Sequence, residues 1–284
     1  MIALHERRSK LDLVGKHIHV DTGRWAEAVS GIGSNSDSYY EYLLKTYTAF
    51  GNQTMWAMFQ TLYHVRHGCR VLRRSARIAC WRSLTWSRCM GAAVQGMRKH
   101  ARLRSGWYAD VNMRNGQAVR AHAEALGAAW CGIEVGAGYI QDAAWCVNAH
   151  HRIRSELGFL PESFDVERWR VVNGGHLLRP ELVESTYLVY AATRDPSWLA
   201  AGAHIVSSLQ FLDHGCGFPC FEGTPGGKCM LVPPGVHDVP LVPVADVTER
   251  TLMDWTPSFY LGETLKYLYL CVPVLHVLEA LQLS

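Results

Sequence analysis

Several signatures that would fix a function at once are missing from this 284-residue chain. There is no glycine-rich phosphate loop and no Gly-x-Ser-x-Gly elbow, which removes the usual nucleotide-binding and serine-hydrolase readings. No uncharged apolar run reaches the ~18 residues a membrane span needs; Tyr267 to Leu283 comes nearest, and His276 and Glu279 interrupt it. The N-terminus carries Arg7, Arg8 and Lys10 without an apolar core, so no signal peptide is visible. A large basic excess is lacking too. A net charge of +3 is too small for a chain that binds nucleic acid along its length. Nine cysteines, an odd number without paired spacing, exclude a small disulfide scaffold. A secretory enzyme with one or two bridges and a chain of reduced thiols both stay open. His214, Cys216, Cys220 and Cys229 cluster in sequence, but match no paired Cys-x-x-Cys zinc signature.

What is present is an apolar, globular composition, 49% hydrophobic and only 19% charged, enough for a substantial core. Helix-start signals recur. Gly31 to Asn35 is a small-residue turn leading into an acidic first turn and an apolar stripe over Asp37 to Lys45. Arg179 to Tyr190 opens with a proline and two carboxylates, both suited to a helix N-terminus. Asp195-Pro196-Ser197 opens a third helix towards Asp213, and Thr256-Pro257-Ser258 a fourth over Phe259 to Leu270. Ala118 to Leu126 and Ile140 to Leu157 are expected to be helical, while Phe218 to Val247, rich in Gly, Pro and Val, reads as hairpin or loop. Helix, tight turn, helix is the repeating theme, which favours an all-α stack of helical hairpins with functional loops at one rim.

Residues 66–104 stand apart, dense in arginine with Trp81 and Trp86 interspersed. Basic residues plus aromatics can make a nucleic-acid surface. A divergent, solvent-facing insertion is the preferred reading, because the rest of the chain is not basic. The sequon Asn52-Gln53-Thr54 is an acceptor only if the chain enters the secretory pathway, and such triplets recur by chance.

Asp37, Glu181, Glu184 and Glu263 each lie near the start of an expected helix. Ordinary capping explains any one of them. Glu181 and Glu184 say more, since like charges three apart on one helix face repel unless compensated, and Arg179 can do that. If the hairpins pack side by side, these carboxylates gather at one rim. Glycoside hydrolysis needs such an arrangement, and clustered carboxylates also suit Ca²⁺. His150-His151 has no acidic or histidine partner at ligand spacing and is assigned to surface or core.

Three blocks carry a resemblance. Asp37-Ser38-Tyr39-Tyr40-Glu41-Tyr42-Leu43-Leu44-Lys45 resembles the D-S-[FY]-[FY]-E-Y-L-L-K signature of glycoside hydrolase family 47. Leu178-Arg179-Pro180-Glu181, with Glu184-Ser185, is similar to its L-R-P-E-x-x-E-S block. Ser258-Phe259-Tyr260-Leu261-Gly262-Glu263-Thr264-Leu265-Lys266-Tyr267-Leu268-Tyr269-Leu270 is similar to its S-F-F-L-x-E-T-L-K-Y-L-Y-L block, and the three stand in the family's order. Val111-Asn112-Met113, Cys146 and Cys216-Gly217-Phe218 resemble segments of the ER-degradation-enhancing subgroup.

The resemblance implies an all-α fold, an (α/α)₇ barrel with small β-hairpin and loop insertions. It implies a single, partial domain over 1–284, truncated at both ends, with insertions at 66–104 and 224–247. The implied activity is removal of α-1,2-linked mannose, with inversion, from high-mannose N-glycans in ER quality control. The alternative is an inactive, lectin-like glycan binder or a fragment. By resemblance Asp37 helps position or activate water, and Glu181 is the base on the water side. Arg179, Glu184, Phe259 and Glu263 contact the sugar, and Glu184 and Glu263 hold Ca²⁺ through water. The implied partners are high-mannose glycans on misfolded glycoproteins, with no nucleic acid, in the ER lumen. The family's acid-bearing F-E-x-x-I-R block has no counterpart upstream of Asp37, and no calcium-ligating T-E-x-H block follows Leu270.

Overall fold

A corner at Gly51 shows how the sequence turns back on itself. A computed structural model describes residues 1–63, 96–213, 242–249 and 251–271. Helix Asp37–Phe50 ends where Gly51 adopts the left-handed conformation, φ 64°, and its amide closes onto the Tyr47 carbonyl. Asn52 then caps the next helix, Gln53–Tyr63. The two helices meet through the stripe Tyr40, Leu43 and Leu44 on one and Met55, Met58, Phe59 and Leu62 on the other. Tyr47, Trp56, Phe59 and Tyr63 stack in series, with ring centroids 4.8, 5.8 and 5.3 Å apart.

The chain divides into two compact units, Met1–Arg120 and Ala121–Ser284. Beside its helical hairpin, the first holds an antiparallel sheet of β1 (Val29–Ser30), β2 (Asp110–Asn112) and β3 (Ala118–Arg120). Val29 pairs with Asn112, and Ser30 with Val111. Buried under that sheet, the Lys16 ammonium meets Asp110 Oδ2 at 3.0 Å, and Arg120 Nε donates to the same oxygen at 2.6 Å. Gly96, at φ 62°, is obligatory, because a Cβ there would collide with the Leu62 carbonyl. It opens the short helix Met97–His100, the described end of the expected 66–104 insertion; residues 64–95 lie outside the described residues.

The second unit begins with a departure from expectation. Ala118 to Leu126 is not a helix. It holds β3, then β4 (His122–Glu124), then a 3₁₀ turn, Ala125–Ala128. Alanine and leucine suggest a helix by propensity, but Ala121, Ala123 and Ala125 are buried while His122 and Glu124 are half out. That is the period of a strand. β4 pairs with β5 (Ser163–Asp165), and β5 with β6 (Arg170–Asn173).

Four helices come next: Ala129–Gly136, outside the expected helices, and then Ile140–Leu157, Glu181–Thr193 and Ser197–Asp213, where helices are expected. Pro180 caps the third helix instead of entering it. Helices Ala129–Gly136 and Glu181–Thr193 approach closely at Gly132, whose amide donates to Ser185 Oγ at 2.9 Å, while that hydroxyl donates to the Ala128 carbonyl at 2.7 Å. A Cβ on Gly132 would lie 3.0 Å from the Leu188 side chain. Cys131 and Cys146 form a disulfide joining the first two of these helices, and closing such a 15-residue loop contributes about 3 kcal/mol. β7 (Val244–Asp246) pairs with β8 (Thr251–Leu252); β7 lies in residues 242–247, the described end of the expected loop region, and β8 lies beyond it. The expected helix after Ser258 spans 258–271, with a π turn at Tyr260–Thr264.

His150 and His151 belong to the core. His150 Nδ1 donates to the Cys146 carbonyl at 2.8 Å, and burial pulls its pKa down to about 4. Thr186 gives its own hydroxyl proton to the Leu182 carbonyl at 2.7 Å, so His151 Nε2 must be the donor to Thr186 Oγ1 at 2.9 Å. Bare His151 Nδ1 then accepts from Arg154 Nε at 3.3 Å. Burial first, and Arg154 second, push the His151 pKa down to about 3.

Candidate functional site

Five of the six residues singled out from the sequence lie in the second unit, around the start of helix Glu181–Thr193 and the helix over 258–271. The backbone before Glu181 is bent sharply. Leu178 takes φ 57°, a left-handed conformation that costs a non-glycine residue roughly 1–2 kcal/mol. Its carbonyl accepts a hydrogen bond from the buried Thr264 hydroxyl at 2.7 Å, which ties the bend to the π turn. Strain held in place by a tertiary contact, next to a π turn, is a pattern that recurs at functional sites.

Arg179 follows the bend. Its Nε and Nη2 grip the Glu162 carboxylate as a fork, at 2.7, 2.9 and 2.8 Å. Both side chains are about four-fifths buried, at 20% and 16% exposure, so the pair is held rigidly and poorly screened. The guanidinium carbon lies 5.9 Å from the Phe259 ring centroid. Glu181 and Glu184 occupy the first turn of their helix, both half-buried. Glu184 Oε1 accepts from the Tyr267 hydroxyl at 2.5 Å. Glu263 is exposed on the π turn. Two separate contacts thus join the start of helix Glu181–Thr193 to the helix over 258–271, Arg179 with Phe259 and Glu184 with Tyr267, and Glu181 stands three residues before Glu184 in the same first turn.

Asp37 belongs to the first unit. It is the first residue of its helix, half-buried, and its Oδ1 accepts from the Ser38 amide at 2.9 Å.

Sequence reasoning passes over Glu162, Tyr267 and Thr264. Tyr267 and Thr264 stand inside one of the three blocks that carry the resemblance, but their partners are 83 and 86 residues away. Glu162 follows Phe159-Leu160-Pro161, and no local periodicity points it at Arg179.

A pocket of about 520 Å³, its open mouth included, lies behind Arg179, walled by Phe159, Leu160, Leu182, Val183 and Leu209. Neither Glu181, Glu184 nor Glu263 lines it. Its apolar walls offer little to sugar hydroxyls, so the carboxylate network is the better candidate site. His176 faces this pocket. Its Nδ1 donates to the Leu160 carbonyl at 2.9 Å, and burial drops its pKa to about 4.

Calcium takes six to eight oxygen ligands. Among the described residues, the one group of three acidic, histidine or cysteine ligand atoms within 4.8 Å is Cys131, Cys146 and His150. Its sulfurs are bonded to each other, so it is no calcium site. Glu184 and Glu263 do not build a direct cage between them. The His214, Cys216, Cys220 and Cys229 group lies outside the described residues.

The sequence pattern of glycosyl hydrolase family 47 matches residues 1–279. The chain belongs to this family. It is 36% identical over 269 residues to "Alpha-mannosidase I MNS4" of Arabidopsis thaliana, covering 94% of this chain and 34% of that protein. It is 29% identical over 273 residues to "ER degradation-enhancing alpha-mannosidase-like protein 2" of Homo sapiens, covering 95% and 38%. The chain therefore spans little more than a third of the length of these relatives. The solved structure of an alpha-1,2-mannosidase from Trichoderma reesei superposes with a TM-score of 0.62 at 18% identity, over 92% of this chain and 50% of that one. That likeness concerns the fold alone, and it gives the expected class, the (α/α)₇ barrel of family 47. Among the described residues no helix is long and apolar enough to cross a membrane.

Proposed function

We propose that this family 47 chain trims α-1,2-linked mannose from high-mannose N-glycans in ER quality control. The observation that carries the reading is the set of side chains at the start of helix Glu181–Thr193. The Arg179–Glu162 fork lies beside the Phe259 ring, and the carboxylates of Glu181 and Glu184 follow within the next turn of chain. A pyranose asks for that combination. Its hydroxyls pair with a guanidinium and carboxylates, and its apolar face lies on an aromatic ring.

In this proposal Glu181 takes a proton from the water whose oxygen bonds to the anomeric carbon, while the C1–O bond to the leaving sugar breaks and that oxygen takes up a proton from solvent. The family resemblance gives Asp37 a part in positioning or activating water. Attack from the face opposite the leaving oxygen inverts the configuration. Arg179, Glu184, Phe259 and Glu263 hold the sugar. Glu184 and Glu263 would hold Ca²⁺ through waters, and the ion would supply positive charge that binds sugar hydroxyls and offsets repulsion between the carboxylates.

The lumenal setting is supported by the printed names of the relatives and by the Cys131–Cys146 disulfide, since such bonds persist in oxidising compartments. Release of mannose from a high-mannose oligosaccharide by the folded chain, with Ca²⁺ and then with a chelator, is the test. The expected result is Ca²⁺-dependent release that falls about 10²–10⁴-fold in Glu181→Gln, the usual loss with a general base. Release unaffected by that substitution would sink the assignment of Glu181.

A further inference from the structure

Asn52-Gln53-Thr54 is the sole Asn-x-Ser/Thr triplet in the sequence, and the mannosidase reading leaves it unused. The structure places it at the corner between helices Asp37–Phe50 and Gln53–Tyr63, where residues 51–54 are all exposed. Asn52 caps the second helix through one atom. Its Oδ1 accepts from the Thr54 amide at 3.0 Å and from the Met55 amide at 3.2 Å. The cap needs no hydrogen of Nδ2, the atom on which an N-glycan is built. Two residues earlier, across left-handed Gly51, Phe50 ends the first helix with 82% of its surface in water.

We propose that Asn52 is an N-glycan acceptor and that the exposed Phe50 ring is the apolar platform for its first sugar. The donor is a lipid-linked oligosaccharyl pyrophosphate. A bond forms between Nδ2 and the sugar C1, the C1–O bond to pyrophosphate breaks, the lipid pyrophosphate departs and one Nδ2 proton is released. No oxidant or reductant enters. Oδ1 is unchanged, so the helix cap survives the modification, and a bulky polar substituent at this corner displaces no packed residue. Covering Phe50 with the apolar face of a sugar removes exposed aromatic surface from water. The inference does not rest on the mannosidase activity; it requires only that the chain passes through the secretory lumen.

The test is to express the full chain behind a cleavable secretion leader in a eukaryotic cell. Intact mass is read before and after an amidase that strips N-glycans and converts the acceptor to aspartate. A protein carrying the Cys131–Cys146 disulfide demonstrates passage through the lumen. The expected result is one glycan at Asn52, lost completely in Asn52→Asp and in Thr54→Ala. Asn52→Asp keeps a capping oxygen, so its loss of glycan is not a folding effect. Phe50→Ala is expected to lower the occupied fraction with the acceptor unchanged. A disulfide-bonded, lumenal protein without glycan overturns the proposal, as does a glycan that persists in Asn52→Asp. Equal occupancy in Phe50→Ala overturns the role of the ring.

Discussion

Beneath the sheet of the first unit a buried ammonium meets a carboxylate, Lys16 with Asp110, and Arg120 joins from the rim. In the core of the second unit three imidazoles, His150, His151 and His176, lie among hydroxyls and carbonyls and are held neutral. Arg154, largely buried beside them, has as partners among the described residues His151, the His204 carbonyl and Ser208, with its own pKa lowered to about 10 by burial. Lys16 and Asp110 offset the cost of burial by pairing opposite charges, whereas the imidazole cluster does so by staying uncharged, although the second unit also holds the Arg179–Glu162 pair. The difference teaches where each cluster is vulnerable: the Lys16 pair to loss of a partner, the imidazoles to a proton.

Acid should separate the units most. The ordinary histidine value is 6.5, and the three buried ones fall to about 4, about 3 and about 4. An unfolded chain therefore takes up protons, as pH falls through 6.5, that the folded second unit refuses. The stabilisation is full above pH 6.5 and is lost towards about pH 4, at up to roughly 1.4 kcal/mol per pH unit for each histidine. In the first unit His5 and His100 are lowered too, but they are only partly buried and add less. Hydrogen exchange at pH 7 and pH 4.5 should show residues 121–213 deprotected well before residues 1–63; equal loss would break the comparison.

Next comes Asp110→Asn, which strands the Lys16 ammonium inside the first unit. It should cost about 3–5 kcal/mol in urea unfolding, with the effect confined to exchange in residues 1–120. Glu162→Gln should cost the second unit about 1.5–3 kcal/mol, the worth of a charge-assisted hydrogen bond, and should weaken glycan binding as well. The smallest effect belongs to Arg152→Ala. Arg152 faces Glu156 at 3.4 Å and is 70% exposed, so its loss should change the unfolding free energy by no more than about 0.5 kcal/mol. A larger change would mean that its packing over Trp169, at 4.6 Å, contributes more than the ion pair.

The sequence is most readable where a local start signal meets an apolar stripe. Helices at Asp37, Glu181 and Ser197 begin at the expected turns, because capping and periodicity act over a few residues. The stretch Ala118 to Leu126 misleads because alanines score as helix formers, while three-residue strands show too few alternations to register. The site is half legible. Its carboxylates announce themselves at helix starts, but the partners that orient them do not: Glu162 meets Arg179 from 17 residues away, and Tyr267 meets Glu184 from 83. Cysteine pairing is likewise closed to sequence reasoning, since the bridge joins residues 15 apart on two helices and no spacing rule selects them. The neutral state of the buried histidines comes from a chain of donors and acceptors that only the packed core defines.

The most direct test of the central claim is hydrogen exchange of the folded chain with and without a high-mannose oligosaccharide. The account predicts new protection in residues 178–187 and 258–267, diminished in Arg179→Ala, whether or not the sugar is cleaved. Protection elsewhere, or none at a saturating concentration, would contradict it.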